Sequence, residues 1–334
     1  MSELTAVSLF AGVEGIGLAL HRAGVQVVAA VEKDDAARGV IADQFPDTHL
    51  FTDVTEVTAD ELRGAGFVPE RGIITAGWPC QGNSVAGGRK GLSDPRSGLW
   101  RHVVRLLAEL RPRWFLGENV PGLLSVTDGE DFGRVLQDVA DLGYGFAYRV
   151  LDAQHFGVPQ RRRRVFIVGC LGDPARPVQV LLEPEGSGRD SAPSEQAGTR
   201  IAATLTAGTS RPGISAPGRR QEDDHNLVVS ALTANGVGTC GADDNQGQAG
   251  HLIVGALQTE TTVRRLTPRE CERLQGFPDD WTATSWGEPQ ADSPRYRQMG
   301  NAVAVPCVEW IARRIVQSEA ADRDERCRDG WWAS

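Results

Sequence analysis

Cys80 sits in the stretch AGWPCQGNSVAG, Ala76 to Gly87, directly after a short apolar run, Gly72-Ile73-Ile74-Thr75. A free cysteine is usually a small buried hydrophobe, and Cys170, Cys271 and Cys307 read that way. Cys80 differs, because Pro, Gln, Gly, Asn and Ser surround it at a strand end. In such a polar loop the thiolate form matters, and a thiolate is a nucleophile. Three other groups also follow strand-like runs. Glu118 ends RWFLGENV; a carboxyl held protonated there can donate a proton, although from the residues alone a capping or surface glutamate is the simpler reading. In the run Gln160-Arg161-Arg162-Arg163-Arg164, alternate residues of a strand share a face, so Gln160, Arg162 and Arg164 point together. Arg161 and Arg163 point the other way, to phosphate or to solvent. Phe10, Gly12 and Gly15 form a turn after the first strand, and Glu32 follows Gly12 by twenty residues. That is the spacing of an acid that takes ribose hydroxyls in a Rossmann-like fold. The glycines run Gly-x-x-Gly-x-Gly rather than Gly-x-Gly-x-x-Gly, so no pyrophosphate cradle is expected.

These groups need a scaffold that collects strand ends. AVSLF (Ala6–Phe10), VQVVAAVE (Val25–Glu32), GIIT, RWFLGENV, FAYRVL and RVFIVG read as strands. Helical segments alternate with them: one to about Ala23, one through about Gln44, then Gly98–Leu110 and Asp131–Gly143. The alternation predicts a doubly wound α/β sheet, in which ligands bind beyond the carboxyl ends of strands. Cys80, Glu32, Asp53 and Glu118 all lie just after strand-like runs. From about Gly172 the texture changes. Residues 183–263 are rich in Gly, Ser, Thr, Ala and Asp, with a weak repeat: ATLTAG at Ala203 against SALTANG at Ser230, and HNLVV at His225 against GHLIV at Gly250. This predicts an irregular β-rich region, with a linker as the alternative. Thr267 and Glu270 form a capping-box pair with Pro268 in the first turn, so a helix should follow and end before Gly276. A last amphipathic helix is expected over Gly300–Val316, with a frayed tail from Ser318.

The composition limits the function classes. The chain has 334 residues, 40% hydrophobic and 24% charged, enough for one large core or a core with a smaller domain. No long apolar run predicts a membrane span, and the first residues lack a signal-peptide pattern, so a cytoplasmic protein is expected. Six irregularly spaced cysteines without Cys-x-x-Cys suggest neither a disulfide framework nor structural zinc. Net charge is −9, which by itself argues against a nucleic-acid partner. The charge is unevenly placed, however: residues 1–60 carry a net −7 and residues 89–176 a net +4.

Pro79-Cys80-Gln81 with Ser84, Glu118-Asn119-Val120, and Gln160 through Arg164 together resemble the DNA cytosine carbon-5 methyltransferases. SLFAGVEGIGLAL is similar to that family's first motif, and RRLTPRECERLQGFPDDW and QMGNAVAVP to its last two. The similarity covers nearly all of the chain outside about 175–260. It implies a Rossmann-like S-adenosylmethionine-dependent methyltransferase fold with a smaller, irregular β-rich target-recognition domain. The implied division is 1–174 catalytic and cofactor-binding, 175–282 target recognition with its variable part about 175–262, 283–317 a helical region returning to the catalytic domain, and 318–334 a flexible tail. It implies methyl transfer from S-adenosylmethionine to a flipped-out cytosine of duplex DNA through a covalent Cys80 adduct. Glu118 would serve ring nitrogen 3, and Arg162 and Arg164 would orient the base. Phe10, Gly12, Gly15, Glu32, Asp53 and Asn301 would hold the cofactor. Gln81, Ser84, Arg89, Lys90, Arg96 and Gln160 would face DNA, and Arg200, Arg211, Arg219 and Arg220 are candidates for base or phosphate contacts. The protein would act as a monomer without structural metal, paired in function with a cognate restriction endonuclease. Three departures from the family pattern stand out: Ser8 where the family usually has Asp, Glu14 where the turn has Gly, and Trp78 before Pro79.

Rival readings remain at this level. An RNA cytosine methyltransferase of the same family is one, which the long insert after QRRRR disfavours. A hydrolase is another, because GNSVA nearly forms a nucleophile elbow; Ala86 and the distant next helix speak against it. A catalytically dead DNA-binding relative is the third, opposed by the retained Cys80 and Glu118.

Overall fold

The computed structural model describes residues 4–79, 97–182, 229–230, 251–253 and 263–330. Its centre is a seven-stranded sheet, ordered β3-β2-β1-β4-β5-β8-β6. The strands are β1 (Thr5–Leu9), β2 (Gln26–Val31), β3 (His49–Phe51), β4 (Gly72–Ala76), β5 (Trp114–Asn119), β6 (Tyr144–Asp152) and β8 (Arg163–Leu171), with the short β7 (Gln160–Arg161) just ahead of β8. β1 through β5 are parallel, while β8 runs antiparallel to both β5 and β6. Every residue of β1 and of β4 is buried, as expected of parallel strands covered on both faces.

Helices cover both faces. The first six are α1 (Gly15–Arg22), α2 (Asp35–Gln44), α3 (Ala59–Gly64), α4 (Trp100–Leu110), α5 (Glu130–Asp141) and α6 (Ala175–Leu181). Three more follow: α7 (Pro268–Gln275), α8 (Asp292–Asn301) and α9 (Val305–Gly330). Strand alternation divides the core in two. Ala6 packs with α1, α6, α7 and α9 residues such as Leu18, Val180, Leu274 and Ile311. Val7 and Leu9 pack with Leu62, Leu106 and Val135 of α3, α4 and α5. Of the variable region, β9 (Val229–Ser230) pairs with β7, and β10 (His251–Ile253) with β11 (Val263–Arg265).

The predicted strands and helices of the first half are present, and the capping box at Thr267 and Glu270 forms as expected. Three expectations need correction. The helix expected over Gly300–Val316 is two helices: α8 stops at Asn301, Ala302 is extended, and α9 begins at Val305. Arg162 Nη2 takes the carbonyls of Gly300 and Ala302, at 3.1 and 2.6 Å, which satisfies the break. The expected frayed tail from Ser318 is helical through Gly330, because Glu319 accepts from Arg176, Trp114 and Arg113 at 2.7, 3.0 and 3.3 Å. Finally, Leu266, Cys271, Leu274, Phe277 and Trp281, assigned by sequence to the target-recognition region, share one core with Ala6 and Val13. A division at 282 would therefore cut through the core that these residues share with β1 and the turn after it. Trp281 Nε1 also donates to Val13 O at 2.9 Å.

Candidate active site

The parallel order places the ends of β1, β2, β3, β4 and β5 along one edge. The antiparallel β8 starts at that same edge, since Asn119 pairs with Val165. Arg164 therefore meets Glu118 across the pair, with its Nε 3.0 Å from Glu118 Oε1. Burial pushes the Glu118 carboxyl up from its ordinary value, while the charges of Arg164 and Arg162 pull it down. The alternation expected of the arginine run is observed: Gln160 and Arg162 are buried, Arg161 and Arg163 exposed, and Arg164 half-buried. Arg162 reaches backbone carbonyls near Asn301, so it ties the β8 start to the α8–α9 break. Gln160 is fully buried, and neither atom of its side-chain amide has a hydrogen-bond partner among the described residues.

Gly77, three residues ahead of Cys80, lies against Glu118: a Cβ there would sit 3.3 Å from Oε2. Asn119 Nδ2 donates to Trp78 O at 3.2 Å. The Trp78 ring packs on Trp100 with centroids 4.7 Å apart, and Trp100 Nε1 donates to Asp138 at 2.8 Å. The segments just before and just after the Cys80 loop are thus joined through two tryptophans. Trp78 is one of the departures from the family pattern, and its partnership is not legible in the sequence, because Trp100 reads only as a core position of α4. Cys80, Gln81, Ser84, Arg89, Lys90, Arg96, Arg200, Arg211, Arg219 and Arg220 lie outside the described residues.

Of the residues named from sequence for a cofactor, Phe10, Gly12, Gly15, Glu32 and Asp53 lie past the ends of β1, β2 and β3, at the other half of the edge. Phe10, Gly12 and Glu14 all have positive φ, at 58°, 57° and 63°. The Gly12 amide donates to Glu32 Oε2 and the Asp34 amide to Oε1, each at 2.7 Å. Burial raises the Glu32 pKa, and these two amides oppose the shift. Asp53 accepts from Thr55 N at 2.9 Å and Lys33 Nζ at 3.0 Å, which lowers its pKa to about 2. Gly15 is needed for close approach, since a Cβ there would come within 2.8 Å of Phe277 and 3.2 Å of Val303. Asn301 is exposed at the end of α8.

Glu14 is the residue that sequence reasoning undervalued. It is fully buried, and its Oε1 accepts from the Ser8 hydroxyl. Thr75 in turn donates to Ser8 at 3.3 Å. The two departures, Ser8 and Glu14, are hydrogen-bonded to each other. Among the described residues no cluster of metal-ligating side chains occurs, and no helix is long and apolar enough to cross a membrane.

A family model for C-5 cytosine-specific DNA methylase matches residues 4–211 and 214–317. The chain belongs to that family. This methylase is 32% identical over 327 residues to "Type II methyltransferase M2.BsuMI" of Bacillus subtilis (strain 168), covering 95% of this chain and 77% of that protein. It is 29% identical to "Type II methyltransferase M.HhaI" of Haemophilus parahaemolyticus, covering 95% of this chain and 96% of that one. Its fold resembles that of S. pombe Dnmt2 methyltransferase, with a TM-score of 0.65 at 20% identity over 95% of this chain and 99% of the other. The Entamoeba histolytica methyltransferase EhMeth matches with a TM-score of 0.66 at 14% identity, over 95% and 99%. The expected α/β methyltransferase fold is the one observed.

Proposed function

We propose that this methylase transfers a methyl group from S-adenosylmethionine to carbon 5 of a flipped-out cytosine in a specific duplex DNA sequence, in restriction-modification or in protection of phage or host DNA. The observation that carries the reading is a Glu118 carboxyl, raised by burial and held by Arg164, beside Gly77 at the stem of the Cys80 loop.

The residues suit S-adenosylmethionine. The turn lacks a phosphate cradle, and the donor has no phosphate. Two carboxyls, the buried Glu14 of the turn and the half-buried Glu32 that accepts from its Gly12 amide, stand there, and the donor is a cation. Glu32 and Asp53 are hydrogen-bond acceptors for its ribose and adenine, and Phe10, Gly12, Gly15 and Asn301 complete the site. When bound, the cofactor supplies an electrophilic methyl group.

Carbon 5 of cytosine is a poor nucleophile. The Cys80 thiolate adds to carbon 6, and the electron pair of the 5,6 double bond becomes available at carbon 5. Negative charge reaching nitrogen 3 is met by the proton that Glu118 holds, and Arg164 keeps that carboxyl oriented. After methylation the carbon 5 proton leaves to a base and the Cys80 sulfur departs, restoring the double bond. A stacked cytosine hides carbon 6, so the base must leave the helix. Gln81, Ser84, Arg89, Lys90 and Arg96 are proposed to face DNA, with sequence read by about 175–262; Gln160, expected from sequence among them, is fully buried and does not present its amide to the surface.

The test is incubation with a duplex carrying 5-fluorocytosine at the target position together with S-adenosylmethionine. A covalent adduct at Cys80 is expected, since fluorine cannot leave as the proton does. No adduct in any methylatable duplex, or methyl transfer to transfer RNA alone, overturns the reading.

A further inference from the structure

Glu14 stands where the fold would be better served by almost any smaller residue. Its backbone is left-handed, with φ 63° and ψ 41°, a region that costs a non-glycine residue roughly 1 kcal/mol or more. Its carboxyl is enclosed. Oε1 accepts from Ser8 of β1, but Oε2 is buried with no partner among the described residues. Helix α1 also gives up a side chain to make room, because a Cβ at Gly17 would overlap the Glu14 carboxyl. A strained, buried acid with one unanswered oxygen, at the turn whose Gly12 amide serves Glu32, points to a ligand-linked role rather than to packing.

The surroundings define what it answers to. β1 offers the Ser8 hydroxyl, and behind it β4 offers Thr75. Helix α1 offers the Gly17 amide, and the end of β2 offers the charge of Glu32. The C-terminal elements bring the apolar Phe277 and Val303 against Gly15, and the Trp281 indole to Val13 O. No cation among the described residues is paired with Glu14. Burial pushes its carboxyl up to about 8, with Ser8 opposing and Glu32 adding to the shift.

Resting on the S-adenosylmethionine reading above, we infer that Glu14 is the charge-sensing acid of the cofactor turn: it holds a proton while the pocket is empty and gives it to solvent when the positively charged donor binds. The enclosed oxygen acts through the turn, as a field rather than a contact, which a low-dielectric interior permits over several ångströms. The demethylated product lacks the sulfonium charge, so it draws the proton off less completely. Glu14 therefore favours donor over product, most strongly above about pH 8, and the preference narrows as pH falls.

The test is titration calorimetry of the protein with S-adenosylmethionine and with S-adenosylhomocysteine from pH 6 to 9. Two buffers of different ionisation heat are used, and the amino-group titration of each free ligand is subtracted. Donor binding is expected to release up to one proton at pH 7, with affinity rising by up to about tenfold per pH unit and levelling above about 8. Product binding should release less and show a shallower slope. Glu14→Gln should flatten both profiles and narrow the preference for donor. Equal proton release and equal slopes for the two ligands on the wild-type protein overturn the inference, and this comparison stands even if the variant does not fold. Absence of donor binding at every pH overturns the cofactor reading itself, which is a different result from binding without proton release.

Discussion

At the scale of single residues, the chemistry depends on where protons and electron pairs are held. Cys80→Ala should abolish methyl transfer and adduct formation while S-adenosylmethionine still binds, as read by calorimetry; loss of binding would show that the loop shapes the cofactor site instead. Glu118→Gln keeps a hydrogen-bond donor but cannot transfer a proton. Turnover should drop by 10²-fold or more, within the usual range for general acid–base groups, with little change in DNA affinity by gel shift. Because burial raises the Glu118 pKa, its working proton is present at low pH and is lost as pH rises through the raised value, so single-turnover rates should decline on the alkaline side. Glu14 makes a stability prediction of the same sign. Its folded pKa of about 8 exceeds the ordinary 4.5, so its contribution is intact below 4.5 and is lost as pH rises towards 8. In the cofactor-free protein, Glu14→Gln should therefore raise the melting temperature at pH 8.5, by an amount worth a few kcal/mol at most, and leave it nearly unchanged at pH 4.5.

At the scale of elements, aromatic packing holds the stem of the Cys80 loop, beside the Gly77 amide's bond to Leu9 O at 3.4 Å. Trp78 ends the segment after β4, Trp100 opens α4, and Phe115 of β5 lies 6.0 Å from Trp100 between ring centroids. Trp100→Ala should cost roughly 3–5 kcal/mol in urea unfolding, the usual range for removing a buried tryptophan. It should also slow methyl transfer beyond what the stability loss explains, since it frees one end of the loop. None of this pairing is visible in the local pattern. Helical spacing over Gly98–Leu110 correctly gave α4 an apolar face, but not which residue that face would meet. The α8–α9 break was misread for a similar reason: Gly300–Val316 is locally helical in character, and the interruption is stabilised by Arg162, some 140 residues earlier.

At the scale of the whole molecule, the C-terminal segment closes the sheet from behind. Helix α9 packs in the core with α1 and α6, and its Glu319 gathers Arg113, Arg176 and the Trp114 indole. Asp322 adds ion pairs to Arg176 and Arg113. Truncation after Gln317 would leave the buried Arg176 and the half-buried Arg113 without these partners. It should lower stability by roughly 2–4 kcal/mol, near the lower part of the range for breaking buried pairs, measured as a shift in urea midpoint. An unchanged midpoint would return the segment to the status of a dispensable tail.

Particular residue types and spacings were enough to propose where the chemistry lies. The thiol in a polar loop, the carboxyl at the end of an apolar run, the alternating arginines and the glycine turn with its acid twenty residues on are all local signals, because strand periodicity and turn chemistry act over a few residues. The alternating strands and helices likewise predicted a doubly wound α/β sheet, though not that β8 would run antiparallel to its neighbours. Only the tertiary structure decided that Arg164 pairs with Glu118, that Arg162 spans to the α8–α9 break, and that Leu266 to Trp281 share a core with β1. It also turned two apparent departures, Ser8 and Glu14, into one hydrogen-bonded pair. Those outcomes depend on burial and on long-range proximity, which raise a carboxyl's pKa or answer a free carbonyl only once distant segments are packed together.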